Sequence, residues 1–203
     1  MQSAAKPTRR DFPPSKGKTL QELADQMAAG PSLALASSVF TTPGDSRMAF
    51  GMIGQDGTPV YGATAVYVAP NPGAPAEGPF LAPADVLLTE ARYRSEQAAK
   101  TEDPFVAVYG ADVKFAKRGK YAVLAATKKP DGALTGATGN VTVSSKSADP
   151  IPAVGEKAPV VHTDTLETAK GDVTKIDTRD PPDFLVAAST AYGPRLGNCT
   201  SAP

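Results

Sequence analysis

The chain is short of the residues that most chemistry needs. It has 203 residues, with one cysteine, one histidine and no tryptophan. A single cysteine excludes an internal disulfide, a CxxC pair and a cysteine-based zinc cluster within the chain. A single histidine excludes a histidine-rich metal site. Surplus charge of either sign is also missing, since Lys+Arg 21 balance Asp+Glu 21. Nucleic acid and acidic membrane surfaces both select for excess Lys and Arg, so neither is an expected partner. No apolar stretch approaches the roughly 18 residues of a membrane-spanning helix, so no membrane span is expected. The N-terminal residues are basic, but no apolar run of roughly 7–15 follows them, so they do not read as a signal peptide. Residues 1–18 are Pro-, Lys- and Ser-rich and are expected to form a flexible leader.

What is present is turn chemistry and enough apolar residues for one modest core. Hydrophobic residues make up 41% of the chain, beside Gly 18 and Pro 20. Gly and Pro together stay below the roughly 25–30% that marks low-complexity chains. One helix is expected over Thr19–Ala29. Thr19 and Glu22 have the spacing of a capping box, and Leu20, Leu23 and Met27 form one apolar stripe. Gly30 and Pro31 then stop it. The stripe reads as a face that docks on a sheet.

From residue 32 to residue 143 the chain reads as short strands separated by turn residues. Expected strands are Leu33–Phe40, Arg47–Ile53, Ala63–Val68, Phe105–Val113, Tyr121–Thr127 and Thr135–Val143. Pro70–Pro83 reads as a long irregular connection. Residues 84–100 have a helix-favouring composition, but they are read as an extended edge segment around Thr89–Arg94, because tertiary context overrides propensity. Gly110 is expected to mark a bulge. Seven strands over about 110 residues is the spacing of an immunoglobulin-like antiparallel β-sandwich. Tyr121, two residues after Gly119, fits a tyrosine corner, with its ring in the core and its hydroxyl tied to backbone. The expected core is Leu35, Val39, Phe50, Met52, Val66, Val68, Val106, Val108, Tyr121, Val123, Leu124 and Val141.

Three groups of residues are candidates for chemistry. A reactive thiolate at Cys199 needs a nearby cation or helix N-terminus, and Arg195 is close in sequence. No second cysteine exists to resolve a mixed disulfide, so the plain reading is an inert thiol. Met48, Met52 and His162 are the residues a copper site would use, although the two methionines also fit a strand's core face. Asp172, Asp177, Asp180 and Asp183 cluster without the spacing of a calcium loop, and read as a solvated segment neutralised by Lys and Arg. Asn140-Val141-Thr142 and Asn198-Cys199-Thr200 match the glycosylation triplet. No nucleophile elbow, P-loop or dinucleotide fingerprint occurs. No complete catalytic constellation is assembled, no cofactor is implied, and the expectation is a non-catalytic protein.

The segment Val154-Gly155-Glu156-Lys157-Ala158-Pro159 resembles the opening of thioredoxin-like domains in the peroxiredoxin and thiol-disulfide oxidoreductase group. His162–Leu166, Gly171-Asp172 and Ile176–Pro182 are similar to exported or lipid-anchored actinobacterial members of that group. In those proteins an immunoglobulin-like sandwich precedes the thioredoxin-like domain. Upstream, Pro43–Gly51, Tyr67-Val68 and Gly119–Leu124 resemble that sandwich. The resemblance implies an extracytoplasmic location and an accessory or interaction role beside a thioredoxin-like protein. The family's paired cysteines have no counterpart here, so none of its redox residues carries over. The implied organisation is a leader at 1–18, a sandwich with its helix at 19–146, and a linker with an incomplete thioredoxin-like opening segment at 147–203, as in a shortened family member. Protein partners are expected at exposed sheet edges. The alternatives are redox chemistry through Cys199 and copper carriage through Met48, Met52 and His162.

Overall fold

The computed structural model describes residues 6–87, 90, 93–96, 107–152, 155–157, 159–160, 164–179 and 181–182. The chain divides into two compact units: Met1–Leu87 with Phe105–Asp149, and Leu88–Pro104 with Pro150–Pro203.

The first unit is an all-β sandwich with one short helix. Its described strands are β1 (Ala28–Ala29), β2 (Ser32–Leu35), β3 (Phe40–Thr42), β4 (Asp45–Ile53), β5 (Ala63–Ala69), β6 (Glu77–Ala82), β7 (Ala84–Val86), β8 (Ala107–Lys114), β9 (Gly119–Lys128) and β10 (Leu134–Ser145). One sheet runs β2-β4-β8-β7. The other runs β1-β10-β9-β5-β6, with β3 also on β10. β1 and β3 run parallel to β10, and every other pairing is antiparallel.

Alternation of side chains fills the space between the sheets. β4 turns Met48, Phe50 and Met52 inward, and β9 turns Tyr121, Val123 and Ala125 inward. Aromatic rings add to this packing, Phe115 and Tyr121 between the layers and Phe50 and Tyr109 within one sheet. Phe115 meets Tyr121 edge-on at 4.9 Å, and Phe50 stacks on Tyr109 at 5.3 Å. Such pairs add about 0.5–1.5 kcal/mol beyond the area they bury. The Tyr121 hydroxyl accepts the Lys117 N–H at 3.1 Å, tying the ring to backbone four residues upstream, as expected.

A second apolar layer lies on the outer face of β5 and β9. Ala63, Ala65, Ala69, Ala122 and Ala126 form a shallow surface there, and Phe12, Leu20 and Leu23 cover it. The small side chains let the covering segment approach closely. This segment includes part of the expected flexible leader, which is held to the sandwich from Asp11 to Lys18. The Tyr67 hydroxyl donates to the Pro13 carbonyl at 2.7 Å, Ser15 donates to the Gly78 carbonyl at 2.6 Å, and Lys128 pairs with Asp11 at 2.7 Å.

The helix, α1 (Leu20–Ala24), begins as expected. Thr19 Oγ1 accepts the Glu22 N–H, and the Glu22 carboxylate accepts the Thr19 N–H. It ends five residues earlier than expected because Ala28 and Ala29 join the β10 ladder. Gly30 makes that approach possible: its N–H reaches the Gly136 carbonyl at 3.0 Å, and a Cβ there would meet the same oxygen at 2.9 Å.

Other expectations need correction. The single strand Leu33–Phe40 is split into β2 and β3, which belong to opposite sheets. Leu35 is consequently 37% exposed at a sheet edge, and Val39 is half-buried. β8 faces the other way by one residue: Ala107, Tyr109, Ala111 and Val113 point inward, and Val108 does not. Val106 lies outside the described residues. Gly110 pairs regularly with Ala49 and forms no bulge; its missing Cβ leaves room for the Arg47 guanidinium. The expected irregular stretch 70–83 contains β6, and its pairing with β5 shifts register between Val66 and Val68. Within 84–100, Ala84–Val86 is strand; of the expected edge around Thr89–Arg94, Thr89, Ala91 and Arg92 lie outside the described residues, and the Tyr93 N–H bonds to the Glu90 carbonyl.

Candidate functional site

Met48 and Met52 share the inward face of β4 with Phe50 between them, and both are fully buried in the inter-sheet core. Their thioethers act there as packing groups. His162 and Cys199 lie outside the described residues, as do Asp180, Asp183 and Asn198. Among the described residues no group of three or more His, Cys, Asp or Glu comes together. No helix among them is long and apolar enough to cross a membrane. Asn140 and Thr142 are exposed on β10, with Val141 turned into the core between them.

The acidic segment belongs to the second unit. Asp172 caps a short turn by accepting the Thr174 N–H and hydroxyl, and these bonds hold its carboxyl below the usual range. Asp177 and Arg179 form a two-pronged ion pair, Nε to Oδ1 at 2.9 Å and Nη2 to Oδ2 at 2.7 Å. Both are more than nine-tenths buried, so this part of the segment is not solvated as expected. The pair lines a hollow of about 480 Å3 with Ser95, Glu96, Thr174 and Thr178. Cation and carboxylate neutralise each other there.

In the sandwich the buried hydroxyls are structural. The Tyr109 hydroxyl accepts the Gly62 N–H at 2.8 Å and faces the carbonyls of Val60 and Gly62. Burial pushes its phenol above the ordinary value. Thr64 and Thr127 bond to each other at 3.0 Å across β5 and β9. A shallow hollow of about 230 Å3 lies between α1 and β10, lined by Leu20, Ala24, Leu124, Thr138 and Asn140. None of these five residues is a titratable group.

The sheet edges remain. An open edge presents unpaired N–H and C=O groups, and proteins usually guard it with charge, proline, a bulge or a cover. β6 carries Glu77 and Pro79, sits beside the register shift, and has Ser15 bonded to its Gly78 carbonyl. The outer edge of β10 is covered at Thr135-Gly136 by β1 and at Val143–Ser145 by β3. β7 is three residues long and bears Asp85, which binds Arg47 at 2.6 Å. β2 differs from these three. Its residues Ser32, Leu33, Ala34 and Leu35 carry no charge, no proline and no bulge, and Ser32, Ala34 and Leu35 are exposed. Among the described residues only β4 pairs with it.

Comparison with protein families, characterised proteins and solved structures finds no match. The reading of function therefore rests on the chain's own geometry and on the sequence resemblance. The edge at β2 was missed as a site in the sequence. The available signal was the uncharged run Ser32–Val39, most of it within the expected strand Leu33–Phe40, and only the topology places part of it at an edge.

Proposed function

We propose that this chain is a non-catalytic, extracytoplasmic interaction module built on an immunoglobulin-like sandwich, and that it recruits a protein partner by strand addition at β2. The observation that carries the proposal is the uneven guarding of the edges: among the described residues β6 and β7 are charged or kinked, β10 is covered at both ends, and β2 is neutral and pairs with β4 alone. Strand addition uses main-chain hydrogen bonds for affinity, which such an edge can supply. The order β2-β4-β8-β7 against β10-β9-β5-β6 supports the immunoglobulin-like reading, because it is the A-B-E-D and G-F-C-C′ order of that fold. The likeness of Val154–Pro159 to thioredoxin-like openings supports an accessory role beside a thioredoxin-like protein, and with it an exported location.

The test is a titration of the full chain with a fluorescein-labelled, lysine-tailed peptide copying residues 31–37. Saturable binding is expected, and it should vanish for the same peptide N-methylated on its backbone. Equal binding of both peptides, or of neither, would overturn the strand-addition reading. Disulfide reduction by the full chain that disappears in Cys199→Ser would overturn the non-catalytic reading.

A further inference from the structure

Strand-addition sites normally select a partner through pockets or charges beside the edge. β2 itself supplies no charge, since its side chains are those of Ser32, Leu33, Ala34 and Leu35. What it does offer is a strand that fits itself. We infer that the strand added to β2 is β2 of a second copy of this chain, joined antiparallel across a two-fold axis. The inference rests on the strand-addition reading and names its partner.

The register follows from which way the side chains point. A two-fold axis perpendicular to the sheet keeps core-facing residues opposite core-facing residues, because a one-residue slip would turn every side chain over. Leu33 packs against the inter-sheet core, and Leu35 has the same parity in the pairing with β4. Centring the axis on Ala34 sets Ala34 opposite Ala34, Leu33 opposite Leu35, and Ser32 opposite Ala36. No like charges meet, and the exposed Leu35 gains the partner's Leu33 as a cover. Neighbouring registers fit less well. Centring on Leu33 brings Pro31, which has no N–H, into the ladder opposite Leu35. Centring on Leu35 needs Ser37, but the N–H groups of Ala36 and Ser37 already bond to the Ala49 carbonyl. Four-residue strands make a small interface, so a weak, reversible dimer is expected.

The experiment is sedimentation of the full chain carrying Cys199→Ser, which removes disulfide dimers, from about 1 to 500 µM. A concentration-dependent dimer is expected. Ala34→Lys sets two ammonium groups facing each other across the axis and should weaken the dimer by about tenfold or more. Its side chain is exposed, and an unchanged melting curve checks that the variant folds. In the same Cys199→Ser background, Ala34→Cys should oxidise to a covalent dimer, and Lys120→Cys, exposed on the other sheet, should not. A monomer at every concentration would overturn the inference, as would an unaltered dimer in Ala34→Lys or cross-linking at both positions. A monomer that still takes the labelled peptide would refute the second copy alone. A monomer that takes no peptide would refute strand addition as well.

Discussion

Leu23→Ala tests the second apolar layer. Leu23 is fully buried between α1 and the alanine-rich outer face of β5 and β9. The substitution removes three carbon groups, each worth about 0.8 kcal/mol when buried, for a transfer loss of about 2.4 kcal/mol. A residual cavity adds to this, and buried Leu→Ala changes cost about 2.7–5.0 kcal/mol where the surroundings cannot collapse. α1 is five residues long and lies on the outside of the sandwich, so it can settle into part of the space. The expected loss is therefore near the lower end, about 2.5–3 kcal/mol. Urea unfolding followed by far-ultraviolet circular dichroism and by the six tyrosines measures it. Hydrogen exchange locates it. The Leu20 N–H on the Ala74 carbonyl and the Ala76 N–H on the Lys18 carbonyl should exchange faster, with β4 much less affected. Gln21→Ala, on the exposed side of α1, should change stability by less than about 0.5 kcal/mol. A loss below about 0.5 kcal/mol in Leu23→Ala, with exchange unchanged, would refute the docking of residues 11–24 on the sheet.

Tyr121→Phe should cost about 1 kcal/mol by leaving the Lys117 N–H without its acceptor; urea unfolding measures it. Gly110→Val should push the Arg47 guanidinium off β8 and break its bond to Asp85. Because that pair is exposed, the pair itself contributes at most about 1 kcal/mol, and most of the Gly110→Val penalty should disappear in an Arg47→Ala background. The Lys128 ammonium, with the Thr8 hydroxyl and N–H, holds the Asp11 carboxyl at about 2 instead of the ordinary 3.8. A lowered folded-state value means the contribution is fully present above about pH 4 and is lost as pH falls towards about 2. Melting temperature measured against pH should fall less steeply over that window in Asp11→Asn than in the natural sequence.

The sandwich was legible where one apolar parity dominates. β4 alternates Met48, Phe50 and Met52 with Arg47, Ala49 and Gly51, and its bounds were nearly right. β5 and β9 were legible as strands, but they are apolar on both parities, which means both faces must be covered. That was the available signal for the docked N-terminal segment. Phe12 was overlooked because it stands alone among charged residues and prolines. β8 was read one residue out because Val106 and Val108 compete with Ala107, Tyr109, Ala111 and Val113. Stacking on Phe50 favours the second set. β6 was hidden by Gly78 and Pro79, which an edge strand tolerates and a central one does not. β1 has two residues and no periodicity; only its approach to β10 makes it a strand. The edge at β2 needed topology, because the same neutral run at the centre of a sheet would be ordinary core.

Site-resolved hydrogen exchange across β2, β6 and β7, with and without the residue 31–37 peptide, tests the open edge most directly. Added peptide is predicted to slow exchange at residues 32–36 and to leave β6 and β7 as they were. Protection that appears at β6 or β7 with none at residues 32–36 would contradict the assignment of β2 as the open edge.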